Sequence, residues 1–222
     1  MSQWEQWFKG FIKNWFFALA ERLNRFDEDT RMQFESALSK FESNEIEGFV
    51  DAWSDLKNPK SVKEQVGIAL DLIEEPSKEQ IISLKDWFSI LMATIELQQE
   101  DVRAQLLSLC GETCASGATD TFKKIWSDSD NLKEFLQKMN TQMCEGDNVY
   151  RYVNENTVEI AYPKCLCPIV GFDLIRSPML CNCSSSWLKT NFAATFGKHV
   201  DVKRINTVLN GSSSCSFMVR LN

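Results

Sequence analysis

Along the first two thirds of the chain apolar residues recur every three or four positions, and in the last third they switch to alternation. Trp4, Trp7, Phe8, Phe11, Ile12, Trp15, Phe16, Leu19 and Leu23 keep the 3.6-residue period that gathers side chains on one helix face. An amphipathic helix over 3–24 follows. The same reading predicts helices over 28–42, 44–56, 61–74, 77–98, 100–115, 117–127 and 131–143, with Pro59 and Pro76 as breaks. Ser77 and Asp130 stand where their short polar side chains can cap the helices that follow them.

After Gly146 the period becomes two. "NVYRYV" and "TVEIAY" alternate on either side of the polar "NENT", the pattern of a hairpin. "GFDLIRSPML" is a connector containing Pro178. Serines 184–186 then precede "WLKTNFAATFGK", where Trp187, Leu188, Phe192 and Phe196 share a helix face and Gly197 supplies a stop. "HVDVKRINTVL" and "SCSFMVRLN" form a second hairpin with Asn210-Gly211 at its turn. The expected fold is α+β: a helical region, 1–145, layered on a small antiparallel sheet of two hairpins joined by a helix, 146–222, the whole forming one compact unit.

Composition narrows the partners. With 222 residues, 44% hydrophobic, the chain can bury a sizeable core. A net charge of −7 and a pI near 4.9, with no basic stripe, exclude a nucleic-acid backbone as partner. Glu5, Lys9 and Lys13 interrupt the first helix, and its longest apolar run, 15–20, is too short for a signal-peptide core or a membrane span. We therefore expect a cytoplasmic protein without a transmembrane segment. The apolar stripe of the first helix is read as core or as the surface of a homodimer.

In a reducing compartment disulfides are rare, so eight cysteines call for another explanation, and metal ligation leads. Cys110 and Cys114 are one helical turn apart and share a face. In extended segments residues i and i+2 also share a face, so Cys165 with Cys167, and Cys181 with Cys183, are each expected to present two thiols in one direction. Cys215 alternates with Phe217 and Val219 in the last strand. Tetrahedral zinc needs four such ligands, and a surplus leaves room for an iron–sulfur cluster, for thiol redox chemistry, or for cysteines that are simply buried. The spacing matches neither zinc ribbons nor ferredoxins. Cys144, beside Met139 and Met143, reads as a small hydrophobe. The candidate metal ligands are thus Cys110, Cys114, Cys165, Cys167, Cys181, Cys183 and Cys215.

Other chemistry is thin. His199, the single histidine, follows Gly197-Lys198 at an expected surface turn. Neither a glycine-rich phosphate loop nor a serine elbow is present. The acidic "IEEP" and "SDSD" read as solvated helix ends. Tyr162 and Asp173 border the cysteine pairs, as pocket or hydrogen-bonding residues or as packing and turn residues.

From "WLKTNFAATFGK" to the closing "SCSFMVRL" the chain resembles the C-terminal part of the vinyl-reductase domain family, over about residues 146–222. The resemblance implies a small-molecule-binding sensor or accessory domain with a fold similar to that of TRAPP-complex subunits. The wider pattern "CGETCA", "CLCP", "CNCS" and "C-x-F" is similar to an uncharacterised, cysteine-rich bacterial and archaeal family carrying such a domain behind a helical region, which implies no particular activity. Aromatic-sensing vinyl-reductase members hold zinc with cysteines and a carboxylate. Only Cys215 matches that motif; its preceding acidic and cysteine positions fall at about Arg204 and Thr207, so other cysteines would have to complete a site.

Three functions are consistent with these features. One is a sensor or carrier that binds a small apolar or aromatic molecule beside a cysteine-held zinc. Another is a thiol, hydrolytic or iron–sulfur redox enzyme using the Cys-x-Cys pairs. The last is an assembly subunit that dimerises through its first helix.

Overall fold

A computed structural model of the chain describes residues 9–42, 44–71 and 77–222. Its helices are α1 (Lys9–Leu23), α2 (Glu28–Leu38), α3 (Glu47–Asp51), α4 (Pro59–Asp71), α5 (Lys78–Glu96), α6 (Glu100–Ser127), α7 (Leu132–Met143), α8 (Pro168–Gly171) and α9 (Cys181–Phe196). Its strands are β1 (Tyr150–Asn154), β2 (Thr157–Tyr162), β3 (Val200–Asn206) and β4 (Cys215–Leu221). The chain divides into two compact units, Met1–Cys110 with Pro168–Ser177, and Gly111–Cys167 with Pro178–Asn222. The start of the first expected helix, and "IEEP" with Pro76, lie outside the described residues.

The first unit is helical. Pro59 opens α4 rather than merely ending what precedes it, because the N–H it lacks is one that a first-turn residue leaves unused. Asn58 caps the same helix by accepting from the Ser61 N–H at 3.2 Å. The expected helix over 44–56 is instead a short α3 flanked by 3₁₀ turns, Asn44–Ile46 and Ala52–Asp55. Tighter winding brings residues i and i+3 into line, which sends Val50, Trp53 and Leu56 together into the core. Phe16 lies at the centre of that core, with ring centroids 5.1 Å from Phe49, 5.2 Å from Trp53 and 5.2 Å from Trp87.

Ser77 caps α5 as its sequence suggested. Its hydroxyl accepts the Gln80 N–H at 3.1 Å, and the Gln80 side chain accepts the Ser77 N–H at 2.9 Å, a reciprocal capping box. Ser77→Ala is expected to cost about 1 kcal/mol of unfolding free energy. Urea denaturation would check this, and a loss below a few tenths would show that the cap is not made in solution.

In the second unit the four strands form an antiparallel sheet in the order β1-β2-β4-β3. The two expected hairpins are therefore present, joined by α9 and meeting along β2 and β4. The β1–β2 turn is tight, Asn154 pairing with Thr157. The second connection is wider than two residues: β3 ends at Asn206, a 3₁₀ turn spans Val208–Asn210, and Gly211 takes the left-handed φ of 84° that glycine tolerates. One sheet face carries Val158, Ile160, Phe217 and Val219 into a core with Phe122, Phe135, Leu188 and Phe192 from α6, α7 and α9. Within that core Asn191 is fully buried, its Oδ1 accepting from Thr119 Oγ1 at 2.9 Å and its Nδ2 donating to the Trp187 carbonyl at 3.0 Å.

Three expected boundaries move. The spans 100–115 and 117–127 are one helix, α6, which runs through Gly117. The cap of α7 is Asn131, not Asp130; the extended Asn131 accepts the Glu134 N–H, while the Asp130 N–H donates to the Glu134 carboxylate. The helix expected to start at the serines instead begins at Cys181, wound directly out of a 3₁₀ turn at Pro178–Leu180. Ser185 lies inside it, donating back to the Cys181 carbonyl at 3.2 Å. Gly197 ends α9 with φ 62°, as expected.

Candidate functional site

The early start of α9 changes where the thiols point. Residues two apart on an α-helix are about 200° apart around its axis, so Cys181 and Cys183 diverge instead of sharing a face. The expectation that a Cys-x-Cys pair presents two sulfurs in one direction is corrected for Cys181 and Cys183. Cys165 neighbours Cys181 and Cys215, whereas Cys167 neighbours Cys114. Six candidate thiols of the second unit thereby form two adjoining trios, Cys165 with Cys181 and Cys215, and Cys114 with Cys167 and Cys183, linked to each other through Cys181 and Cys183.

The first trio gathers at the end of the sheet where β2 leaves and β4 begins. Tyr162, the last residue of β2, is paired with Cys215, the first of β4, and Cys165 follows three residues later. The Cys165 sulfur accepts the Cys167 N–H and hydrogen-bonds with the Cys215 thiol. The Cys215 sulfur also accepts the Val208 N–H at 3.3 Å. Backbone donors aimed at sulfur favour the thiolate that a soft cation requires. Cys181 and Cys215 are buried, and burial is the main cause that pushes the Cys165 and Cys181 thiols above their ordinary range. The fully buried Thr207 lies against Cys181, and with the Arg204 guanidinium it pulls the Cys181 thiol back down. Arg204 also donates from Nη1 to the Asn182 side chain at 3.2 Å, tying β3 to the first turn of α9.

The second trio depends on a close helix contact. A Cβ added to Gly111 would sit 2.2 Å from the Cys183 carbonyl oxygen and 2.8 Å from the Ser186 Cβ. α6 and the start of α9 therefore touch backbone to backbone, one turn before Cys114 and on its face. Burial first, and then Cys183 and Cys167, push the Cys114 thiol up to about 12. Gly111 was not singled out from sequence, although a glycine inside a helical pattern signals close approach.

The remaining candidates lie elsewhere. Cys110 is a buried residue of the first unit, its thiol donating to the Leu106 carbonyl at 3.5 Å. Cys144 sits at the C-terminus of α7, packed against the sheet core. The His199 side chain is exposed, facing Asn222 and Asp201. Tyr162 is half-buried with its hydroxyl 3.4 Å from that of the buried Tyr150, and burial raises both phenols. Asp173, in the first unit, is paired with Lys85 at 2.8 Å and Arg176 at 3.5 Å, and its carboxyl is held below the usual range by Lys85 first. Among the described residues no group of three or more His, Cys, Asp and Glu side chains stands in an arrangement that could hold a metal ion. No described helix is long and apolar enough to cross a membrane.

Fold and site together define an α+β protein whose antiparallel-sheet unit concentrates thiols at one end of the sheet. The chain belongs to the family of unknown function DUF6144, whose model matches residues 60–222. No curated protein matches it. Among solved structures it is similar to a trafficking protein particle complex subunit 3 from Naegleria fowleri, described as covalently bound to palmitic acid. That similarity has 12% identity and a TM-score of 0.41, covering 64% of this chain and 94% of the other.

Proposed function

We propose that the protein is a metal-dependent small-molecule-binding module, a sensor or carrier, in which Cys165, Cys181 and Cys215 hold a zinc ion. The observation that supports this is the meeting of three thiols from a loop, a helix and a strand, two of whose sulfurs already accept backbone N–H groups. Three thiolates and a divalent ion leave one negative charge, and Arg204 beside Cys181 offsets it. Closing around an ion requires rotation of the thiols, and a χ1 change moves a cysteine sulfur by about 3 Å. Zinc held by three protein ligands keeps a fourth position for water or a bound molecule. The small-molecule part of the reading rests on the resemblance of the C-terminal sequence to vinyl-reductase domains.

Against the thiol-enzyme alternative stand the thiols themselves, since a nucleophilic cysteine is one whose ionisation is made easier. Cys114, Cys144, Cys165 and Cys181 are all shifted the other way, with burial as the leading cause.

Metal analysis of protein purified under reducing conditions tests the proposal. Stoichiometric zinc is expected, falling by one equivalent in Cys215→Ser and staying unchanged in Cys144→Ser. A chain that emerges from zinc-replete expression without metal and takes up none on titration would overturn it. Iron with acid-labile sulfide would transfer support to the redox alternative.

A further inference from the structure

We infer that a second copy of this chain pairs with the outer edge of β3, antiparallel about a two-fold axis at Val202, so that one sheet continues across both copies. The sheet has two edge strands, β1 and β3, and they are built differently. At β1 the Ala161 N–H donates to the Val149 carbonyl, and because hydrogen-bonded pairs alternate, the N–H and C=O of Tyr150 turn outward. Asn140 of α7 takes both. Its Oδ1 accepts the Tyr150 N–H at 2.8 Å, and its Nδ2 donates to the Tyr150 carbonyl at 2.8 Å. A side-chain amide thus stands where a further strand would begin, and the register shift after Tyr152 ends the regular edge.

No such cover lies on β3 among the described residues. The Asn222 N–H donates to the His199 carbonyl at 2.9 Å, and the same register with β4 runs unbroken from Val200 to Arg204. Asp201 and Lys203 therefore bond inward to β4, while Val200, Val202 and Arg204 present N–H and C=O to the outside. The register shifts before Asn206, so the regular edge runs from Val200 to Arg204 and is centred on Val202.

Charge selects the occupant and its register. Two β3 edges exchange backbone bonds only where outward residues meet outward residues. Centred on Asp201, the pairing sets Asp201 against its own copy; centred on Lys203, it does the same to Lys203. Like charges directly opposite are destabilising. Centred on Val202, Asp201 faces Lys203 of the second copy on both sides of the axis, in the close positions between hydrogen-bonded pairs. Both side chains are exposed, on the face opposite Val202, which packs at the rim of the core. Asn222 Nδ2 donates to Asp201 Oδ2 at 2.7 Å and holds the carboxylate on that face. Val202 meets Val202, and Val200 meets Arg204 in both directions, each pair exchanging its backbone bonds. The α1 stripe offers no rival apolar surface from Trp15 on, since Trp15, Phe16, Leu19 and Leu23 are at most 1% exposed within this chain's own core. A two-fold contact consumes β3 of both copies while Asn140 covers β1, so association stops at two. One strand edge makes a small interface, which places the dissociation constant on the order of micromolar.

Sedimentation velocity of the full chain under reducing conditions, across the micromolar range, tests this. The wild type is expected to pass from monomer to dimer as concentration rises, and no further. Asp201→Lys and Lys203→Asp each set like charges opposite one another, and each should weaken the dimer at least about tenfold. Mixing the two variants should restore it, because the lysines of one chain then face the aspartates of the other at both positions. Both sites are exposed, and circular dichroism checks that each variant folds. A wild type that stays monomeric throughout would overturn the inference. A dimer that both variants keep at full strength would place the contact elsewhere and overturn it equally. Variants that remain monomeric when mixed, or a wild type that grows beyond the dimer, would sink the two-fold pairing as well.

Discussion

Gly111→Ala is expected to lower the unfolding free energy of the chain by about 2–3 kcal/mol, although alanine is the better helix former. Alanine in a helix interior gains up to about 1 kcal/mol over glycine. Here that gain is outweighed by overpacking. The new Cβ would be 2.2 Å from a backbone carbonyl oxygen, and a backbone atom of α9 cannot swing aside as a side-chain tip can. The helices must separate, and overpacking of this kind costs about 1–3 kcal/mol or more. Gly117, in the same helix, has nothing within 4 Å of an added Cβ among the described residues. Gly117→Ala should therefore stabilise by up to about 1 kcal/mol. Opposite signs from two glycines six positions apart, measured by urea denaturation, would establish the close α6–α9 approach. Equal signs would show that the contact yields.

How much of this was legible follows from which interactions are local. The helices of the first unit and both hairpins were readable because burial imposes the 3.6 and 2.0 periods directly on the sequence. Ser77 and Gly197 were readable because a cap is made within a few residues. The direction of Cys181 and Cys183 was misread because serines 184–186 looked like a helix start. The helix instead begins three residues earlier, continuing a 3₁₀ turn, and that shift turns a shared face into opposed faces. α6 was cut near Gly117 because glycine weakens a helix locally, whereas its continuity is decided by the core that Phe122 and Ile125 enter further on. The assignment of thiols to trios was beyond sequence altogether. It depends on the β2–β4 pairing that sets Tyr162 opposite Cys215, and on the room that one missing methyl leaves at Gly111.

Phe16→Ala should be among the most damaging single changes in the chain, at about 3–4 kcal/mol. Phe16 is fully buried, and its ring meets Trp15, Phe49, Trp53 and Trp87 edge-on at centroid distances of 5.1–5.2 Å. Edge-to-face pairs of this kind add about 0.5–1.5 kcal/mol beyond burial, and truncating a buried phenylalanine to alanine costs about 3–5 kcal/mol in all. The loss falls in the lower part of that range. The buried indole nitrogens of Trp53 and Trp87 have no hydrogen-bond partner among the described residues. Both indoles border Phe16, so the cavity left by its ring is one that a water molecule can enter and accept from. A hydrated cavity destabilises less than an empty one. Phe16→Leu, which refills most of the volume without offering an acceptor, should cost about 1–2 kcal/mol. Met32→Ala, at an exposed position, should be neutral within about 0.5 kcal/mol. Denaturant unfolding followed by tryptophan emission checks all three, and red-shifted emission in folded Phe16→Ala would report water at the indoles. A loss below about 1 kcal/mol would mean that the aromatic cluster is not the cooperative core of the helical unit.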